Sequence, residues 1–140
     1  MDDIFCKIIR GDVPAYKVYE DDTFIAILDR EPVNPGHTIL IPKEHCDNFI
    51  GFNENQLIKY GTAQKNVIEI LQKNLDKVTG FTLYQSNGGG AYQTVPHSHL
   101  HIIPRYDNDF GYSTFDRGHN QVRGTIDDSW AQEVIKKINS

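Results

Sequence analysis

The sequence has little cysteine, no excess of positive charge and no long hydrophobic run. Its two cysteines, Cys6 and Cys46, are too few for a disulfide framework and favour a reducing, cytoplasmic location. The net charge of −5 excludes a general attraction for nucleic acid or an anionic membrane, so any phosphate specificity has to be local. The longest apolar run, residues 24–28, is too short for a membrane span or a signal peptide, and we expect neither.

The length and composition fit one globular domain. A chain of 140 residues with 39% hydrophobic content can bury a core of its own. No repeat, low-complexity tract or linker divides it, so the sequence predicts a single domain over residues 1–140. We expect residues 106–140 to form a C-terminal tail that is irregular at first and ends in a helix at Ser129 to Ile138, capped by Asp127 or Asp128.

Hydrophobic periodicity predicts an α+β fold. Residues 4–10 have the spacing of a short amphipathic helix that Gly11 ends. A long helix begins after Asn53, with Gln56 at the capping-box position and Gly80 expected just beyond its end. Its expected apolar stripe contains Leu57, Gly61, Gln64, Ile68, Leu71 and Leu75.

The remaining segments predict an antiparallel five-stranded sheet with the long helix over one face. A segment rich in histidine forms the fifth strand, and the other four are expected at residues 16–19, 23–29, 37–41 and 81–85.

Three of the six histidines alternate in the segment from Gln93 to Arg105. In a strand, His97, His99 and His101 share one face, about 6.5 to 7 Å apart, so a phosphate above the middle ring is within reach of the outer two. We call these residues the histidine ladder. Pro96 and Pro104 are expected to bound its strand.

The ladder alone leaves three interpretations open. The histidines could be incidental polar residues, ligands of a zinc hydrolase site, or a site of covalent catalysis on phosphorus. The preceding segment favours the last. Gly88 to Gly90 allow the backbone to approach an anion closely, and Gln93 and Thr94 add neutral hydrogen-bonding side chains.

The segment from Gln93 to Ile103 closely resembles the signature of the histidine triad (HIT) nucleotide-binding proteins, which are nucleotidyl hydrolases and transferases. The resemblance covers most of the chain, including residues 4–11 and 35–43. One position departs from the pattern: the family usually has a hydrophobe where this chain has Ser98, which affects the packing behind the ladder.

The resemblance implies that His99 attacks the α-phosphorus of a purine nucleotide and that water hydrolyses the nucleotidyl-histidine, without a required cofactor. His97 and His101 are implied as the other catalytic residues, contacting the phosphoryl oxygens. The implied nucleotide-binding residues are Ile4, Phe5, Ile8, Ile27, Asp29, Asn87, Gly90, Gln93 and Thr94.

The purine nucleoside phosphoramidase branch is the most similar, which implies a phosphoramidate or adenylate substrate. A dinucleoside polyphosphate hydrolase is an alternative, and a nucleotide-binding adaptor with incidental turnover is an alternative of another class. His37 is interpreted as a structural histidine.

The resemblance also raises the question of a structural zinc ion and of assembly. Some bacterial relatives bind zinc through positions that here are Asp3, Cys6, His45 and His97, with Asp3 replacing a cysteine by a harder oxygen ligand.

The family pairs subunits to continue the sheet, so we expect a homodimer. The long helix and the glycine-rich segment are the expected interface, with the tail from Tyr106 reaching the partner's site.

Overall fold

The computed structural model describes residues 2–107, 109 and 124–140. Its helices are α1 (Ile4–Arg10), α2 (Glu54–Asn74) and α3 (Asp128–Ile138), and short 3-10 turns occur at Phe49–Gly51 and Gly89–Ala91. Its strands are β1 (Lys17–Glu20), β2 (Phe24–Leu28), β3 (Thr38–Pro42), β4 (Val78–Tyr84) and β5 (Leu100–Tyr106). They form one antiparallel sheet in the order β1-β2-β3-β5-β4, which confirms the predicted α+β class.

Strands β2 and β3 are buried along their whole length because both faces of the sheet are covered there. Side chains alternate between the faces of a strand. On one face Ala26 and Leu40 pack in a core with residues of α2 and α3. On the other face Ile25 and Ile39 pack with Phe5 of α1. The long helix therefore covers one face, as expected, and α1 covers part of the second.

The start of α2 confirms the predicted cap, and its buried stripe agrees with the prediction only in part. Leu71 is buried, and so is Leu75 just after the helix. Asn53 accepts a hydrogen bond from the Gln56 N–H at 2.8 Å, and the Gln56 side chain accepts one from the Asn53 N–H at 2.9 Å. Leu57, however, is 49% exposed. It lies about 100° around the helix from Gln56. The residues of α2 that are buried are Gln56, Ala63, Val67 and Leu71.

The end of α2 also differs from the prediction. The helix ends before Leu75. The left-handed conformation that was expected at Gly80 occurs at Lys77, whose φ is 67°. Gly80 is part of β4, so the strand begins earlier than predicted.

His97 and His99 were predicted to lie in the fifth strand, but this strand begins at Leu100 and does not contain them. Pro96 has no N–H to donate. The N–H of His97 bonds to Val95 O and that of Ser98 bonds to Cys46 O, which keeps this segment out of the sheet pairing. Pro104 does not end the strand, because beyond Ile102 the strand pairs with β4 and no longer with β3.

The C-terminal helix is confirmed within one residue of its predicted start. Asp127 caps it by accepting a hydrogen bond from the Trp130 N–H at 3.2 Å, and Ala131 and Val134 are buried. Most of the tail expected to be irregular lies at residues 108 and 110–123, outside the described residues. Over the part of the chain that the structure describes, no helix combines the length and hydropathy needed to cross a membrane.

Candidate active site

A cavity of about 420 Å³ lies on the α1 face of the sheet. Five of the residues that line it were not predicted to belong to the site: Leu28, Arg30, Glu31, Ile39 and Val95. Its wall is therefore not wholly apolar, since Arg30 and Glu31 belong to it. The predicted residues that it brings together are Ile4, Phe5, Ile8, Ile27, Asp29, Thr94, His99 and His101.

Two larger cavities, of about 730 and 470 Å³, are lined partly by α3 residues. Neither is lined by His99 or His101, so the smaller cavity is the candidate active site.

Helix α1 forms one wall of this cavity although it has only seven residues. The Asp3 side chain caps it by accepting a hydrogen bond from the Cys6 N–H at 2.8 Å, and Gly11 ends it at φ of 84°. Such a short helix is not stable in isolation, so tertiary contacts must hold it in place. The buried Phe5 supplies one of them, with its ring centroid 5.1 Å from that of His99.

The protonation of His99 is set by the backbone of His97. His99 Nδ1 lies 2.8 Å from His97 O, and a carbonyl oxygen can only accept, so the neutral ring carries its proton on Nδ1. The lone pair of the neutral ring is then on Nε2. This is the tautomer that a nucleophilic histidine needs when it attacks through Nε2.

A second hydrogen-bond chain sets the tautomer of His101. The Val33 N–H donates to His37 Nδ1 at 2.9 Å, so His37 carries its proton on Nε2. His37 Nε2 lies 2.9 Å from His101 Nδ1 and donates to it. His101 therefore accepts on Nδ1 and carries its own proton on Nε2. Tyr84 stacks on the His101 ring with centroids 4.4 Å apart and fixes its plane.

Asp29 extends the site beyond the end of β2. One carboxylate oxygen accepts from the Glu31 N–H at 2.8 Å, and the other lies 3.5 Å from His37 Nε2. The carboxylate lines the cavity next to Ile27 and Leu28. An ionised carboxylate accepts hydrogen bonds only, so it suits the hydroxyl pair of a ribose.

Asn87, Gly90 and Gln93 do not line the cavity, so their expected contacts with nucleotide stay predictions. Gln93 Oε1 accepts from the Gly88 N–H at 2.7 Å, and Gln93 Nε2 donates to Val95 O at 2.8 Å. Asn87 Oδ1 accepts from the Phe49 N–H at 2.9 Å. These bonds shape the glycine-rich loop, and Thr94 alone of the four phosphate-side residues borders the cavity.

The His97 ring is fully buried and does not line the cavity, although contact with phosphoryl oxygens was expected. Its Nε2 donates to Pro42 O at 2.9 Å, and its Nδ1, which carries a lone pair when the ring is neutral, faces Asp3 Oδ2 at 3.2 Å and Cys6 Sγ at 3.6 Å. His45 Nε2 lies 3.3 Å from the same Asp3 oxygen. Ligand atoms of these four residues all lie within 4.8 Å of one another. We call them the Asp3 cluster.

The Asp3 cluster has the electrostatics of a cation site. Burial disfavours a charged carboxylate, but the hydrogen bond from Cys6 and the charge of His97 outweigh it, so the pKa of Asp3 lies below its ordinary value. Burial raises the pKa of the Cys6 thiol. When His97 is neutral, two acceptors, Asp3 Oδ2 and His97 Nδ1, face each other. A proton or a metal ion between them removes this conflict.

The ladder histidines do not converge on one metal position. His97 belongs to the Asp3 cluster, and His101 belongs to a second group with Asp29 and His37. His99 belongs to neither group among the described residues. The direct bond between His37 and His101 accounts for the second group without an ion. The geometry therefore does not support a zinc hydrolase that uses the ladder as its ligands.

The sheet, α1 and the histidines beside the cavity define a protein of the histidine-triad class. The HIT domain family matches residues 10–108, and the chain belongs to this family. It is 43% identical over 136 residues to an uncharacterized HIT-like protein of Methanocaldococcus jannaschii, covering 96% of this chain and 97% of the relative. It is 39% identical to an adenylylsulfatase of Arabidopsis thaliana, covering 77% of this chain and 54% of the relative. It is 32% identical to an adenosine 5′-monophosphoramidase of Candida albicans, covering 77% and 73%.

Two solved structures show the same fold. A hypothetical histidine triad nucleotide-binding protein from Sulfolobus tokodaii aligns with a TM-score of 0.80 at 33% identity, covering 96% of this chain and 87% of that one. A zinc-bound histidine triad family protein from Mycobacterium smegmatis aligns with a TM-score of 0.79 at 27% identity, covering 96% and 91%.

Proposed function

We propose that this protein is a purine nucleotide hydrolase of the phosphoramidase type, with His99 as its nucleophile. The observation that carries the proposal is the tautomer of His99: the His97 carbonyl holds the ring proton on Nδ1, at a cavity that also contains Asp29 and the apolar wall of α1. Relatives named adenylylsulfatase and adenosine 5′-monophosphoramidase support a nucleotidyl substrate.

In the first step, His99 Nε2 forms a bond to the α-phosphorus while the bond from phosphorus to the leaving nitrogen or oxygen breaks. The electron pair of the broken bond goes to the leaving group, which takes up a proton. In the second step, water attacks the same phosphorus, loses a proton and displaces Nε2. The products are a nucleoside monophosphate and the free amine or acid.

His101 is proposed to supply a donor in this reaction. The bond from His37 fixes the His101 proton on Nε2, and the ring lines the cavity next to His99, with centroids 5.3 Å apart. A donor at this position stabilises the charge that develops on phosphoryl oxygens or protonates the leaving group. Thr94, on the same wall, is the second candidate donor.

The nucleoside is proposed to lie with its ribose at Asp29 and its base between α1 and β2. The residues that would contact the base include Ile4, Ile8 and Ile27, and apolar contact discriminates weakly between purines. We therefore predict that adenosine and guanosine substrates differ by less than about a thousandfold in kcat/KM. A larger ratio would show that a polar residue reads the base, and Arg30 and Glu31 are the residues to test for that role.

The experiment that tests the function is turnover on a small panel of substrates. It contains adenosine and guanosine phosphoramidates, adenosine phosphosulfate and dinucleoside polyphosphates, with the His99→Ala protein as control. Phosphoramidates should be the best substrates. Preferred cleavage of dinucleoside polyphosphates would change the proposed leaving group, and nucleotide binding without turnover would show an adaptor.

The Asp3 cluster is proposed to hold a structural zinc ion, and catalysis needs no cofactor. One thiolate, one carboxylate and two imidazoles are all ligands that zinc accepts in tetrahedral sites. His45 Nε2 now lies 2.8 Å from Pro96 O, so its proton must move to Nδ1 before Nε2 can bind a metal ion. A bound ion would supply positive charge between Asp3 Oδ2 and His97 Nδ1, which lie 3.2 Å apart.

The protein is also proposed to be a homodimer, and the cytoplasmic location stays a prediction. Strand β4 is an edge of the sheet. Exposed apolar side chains lie on β4, on the glycine-rich loop, on the 3-10 turn before α2 and at the start of α2, where a partner would cover them. They are Ile50, Leu57, Ile58, Leu83 and Tyr92, which we call the apolar patch.

A further inference from the structure

The Asp3 carboxylate has two roles that join the metal-ligand cluster to helix α1. Its Oδ1 accepts from the Cys6 N–H at 2.8 Å and caps the helix. Its Oδ2 faces His97 Nδ1 at 3.2 Å and His45 Nε2 at 3.3 Å inside the cluster. A metal ion that binds Oδ2 therefore also holds the first turn of α1 in its capped position.

Helix α1 is in turn part of the cavity. Ile4, Phe5 and Ile8 line it, and Phe5 contacts rings on both sides, with centroids 5.8 Å from His97 and 5.1 Å from His99. Since the helix has only seven residues, its position depends on such tertiary contacts. Whatever orders the start of α1 also orders one wall of the proposed base site.

His97 gives a second connection through its backbone. Its ring belongs to the Asp3 cluster, while its carbonyl accepts from His99 Nδ1 at 2.8 Å. A metal ion at Nδ1 holds the His97 ring between Pro42 O and the cluster, and so restrains the peptide that orients His99.

We infer that binding of a divalent metal ion at the Asp3 cluster is coupled to nucleotide binding in the cavity, so that each tightens the other. The inference rests on the proposed nucleotide site. The coupling acts by ordering shared parts, α1 and His97, and linkage makes it reciprocal. A ligand set with one thiolate is less selective for zinc than one with two, which suits an exchangeable ion and a change in occupancy.

The test measures affinity, not activity. Full-length protein is stripped of metal, and one half is reloaded with Zn²⁺. Adenosine monophosphate, which the reaction produces and does not consume, is then titrated into both forms by calorimetry. We expect the loaded protein to bind it about 5 to 20 times more tightly, within the range usual for allosteric coupling. Zinc affinity should rise by the same factor when the nucleotide is present.

Two variants and one control identify the cluster as the cause. Asp3→Asn keeps the capping oxygen and removes the anionic ligand, and Cys6→Ser removes the thiolate while leaving the cap in place. Both should lose zinc binding at micromolar concentration and the zinc effect, while binding nucleotide like the stripped wild type. Asp2→Asn changes an exposed neighbouring carboxylate that pairs with Arg10, and should behave like wild type.

The outcomes separate this inference from the proposed function. Stoichiometric zinc with equal nucleotide affinity in both forms would overturn the coupling, as would a failure to bind zinc. A zinc effect that survives in Asp3→Asn would also overturn it. No nucleotide binding in any form would instead overturn the proposed function, and the coupling with it.

Discussion

At the scale of single residues, a backbone carbonyl places the proton of His99 directly, and a backbone N–H places that of His101 through the His37 ring. The His97 carbonyl can only accept and the Val33 N–H can only donate, at 2.8 and 2.9 Å from the rings that they bond. The tautomers of His99 and of the His37–His101 pair therefore stay the same over the whole pH range in which these rings are neutral. This arrangement makes the role of each ring testable by substitution.

Replacing His99 with Ala should lower turnover by several orders of magnitude, because loss of the nucleophile removes both steps. Nucleotide binding should largely survive, since base and ribose contacts are assigned to other residues. Rapid quench with a labelled α-phosphate, followed by peptide mapping that spares acid-labile phosphohistidine, should place the label on His99. Full activity of the variant, or label on another residue, would refute the assignment.

His101→Ala should retain more activity than His99→Ala, with a loss of about 2 to 4 kcal/mol if it resembles removal of a positioned donor. His97 was also expected to contact the phosphoryl oxygens. Because its ring lies in the Asp3 cluster, His97→Ala should mainly weaken metal binding and lower thermal stability.

His37→Asn tests whether His37 acts through His101 or is only structural. Asn can still accept from the Val33 N–H but is too short to donate to His101, so kcat should fall about 10- to 100-fold and its pH profile should change. His37→Gln, whose amide reaches further, should retain more activity. Thermal unfolding is measured alongside, because His37 is fully buried. Unchanged kcat with a lower Tm would show a structural histidine only.

At the scale of elements, Ser98 stands in the ladder where the family usually has a hydrophobe. Its hydroxyl is buried and hydrogen-bonded. Ser98 Oγ accepts from Gln85 Nε2 at 2.7 Å, and Gln85 Oε1 accepts from the Tyr60 hydroxyl at 2.6 Å. These two hydrogen bonds connect α2, the end of β4 and the histidine segment. Burial raises the pKa of Tyr60, so its hydroxyl stays a donor.

The turn between β1 and β2 depends on Asp21. Burial opposes ionisation of its carboxyl, but hydrogen bonds from the Tyr19 hydroxyl and the Phe24 and Thr23 N–H groups outweigh it, so its pKa lies below the ordinary value. Because the folded pKa is depressed, the stabilisation is present above the unfolded pKa and is lost as pH falls through the folded pKa.

Asp21→Ala should therefore lower the free energy of unfolding by about 1 to 3 kcal/mol at pH 7. The difference from wild type, measured by urea denaturation, should shrink as the pH is lowered through the acid range where Asp21 is protonated. Asp22→Ala, at the exposed neighbour, is the control and should have little effect at either pH. A difference that does not change with pH would show that the charge of Asp21 contributes nothing.

At the scale of the whole molecule, the apolar patch spans segments that are joined to one another. The Phe49 N–H donates to Asn87 at 2.9 Å, which ties the 3-10 turn of Ile50 to the glycine-rich loop. The Tyr60–Gln85 bond ties α2 to the end of β4. Ile50 is 80% exposed and Tyr92 62%, so the patch exposes large apolar side chains, and Leu83 of the patch lies on the edge strand β4. A second copy of the chain would cover both.

Sedimentation should therefore show a species of twice 16.0 kDa at micromolar concentration. Leu83→Arg should shift the protein towards the monomer, because it places a charge on the edge strand β4 within the proposed interface. Gln72→Arg, near the other end of α2, adds the same charge outside the patch and should leave the dimer intact. A 16.0 kDa species alone in the wild type would refute the dimer.

The sequence by itself determined the features that depend on neighbouring residues. The Asn53 cap, the amphipathic helices and the alternation of the strands follow from local spacing, and these features specified the α+β class. The resemblance of its motifs to the HIT signature also marked His99, Asp29 and α1 as parts of a nucleotide site. The structure brings them to one cavity.

Only the tertiary structure decided where the rings point and which nitrogen holds each proton. The His37–His101 bond joins residues 64 positions apart, and the bond from His97 to Pro42 joins residues 55 apart. Alternation predicted one ladder with all three histidines on the same face. Because of Pro96 and the bond from Ser98 N–H to Cys46 O, the strand begins only at Leu100. The His97 ring therefore lies in the Asp3 cluster, while His99 and His101 line the cavity. Local periodicity cannot show this, because each partner comes from a distant segment that is adjacent only after folding.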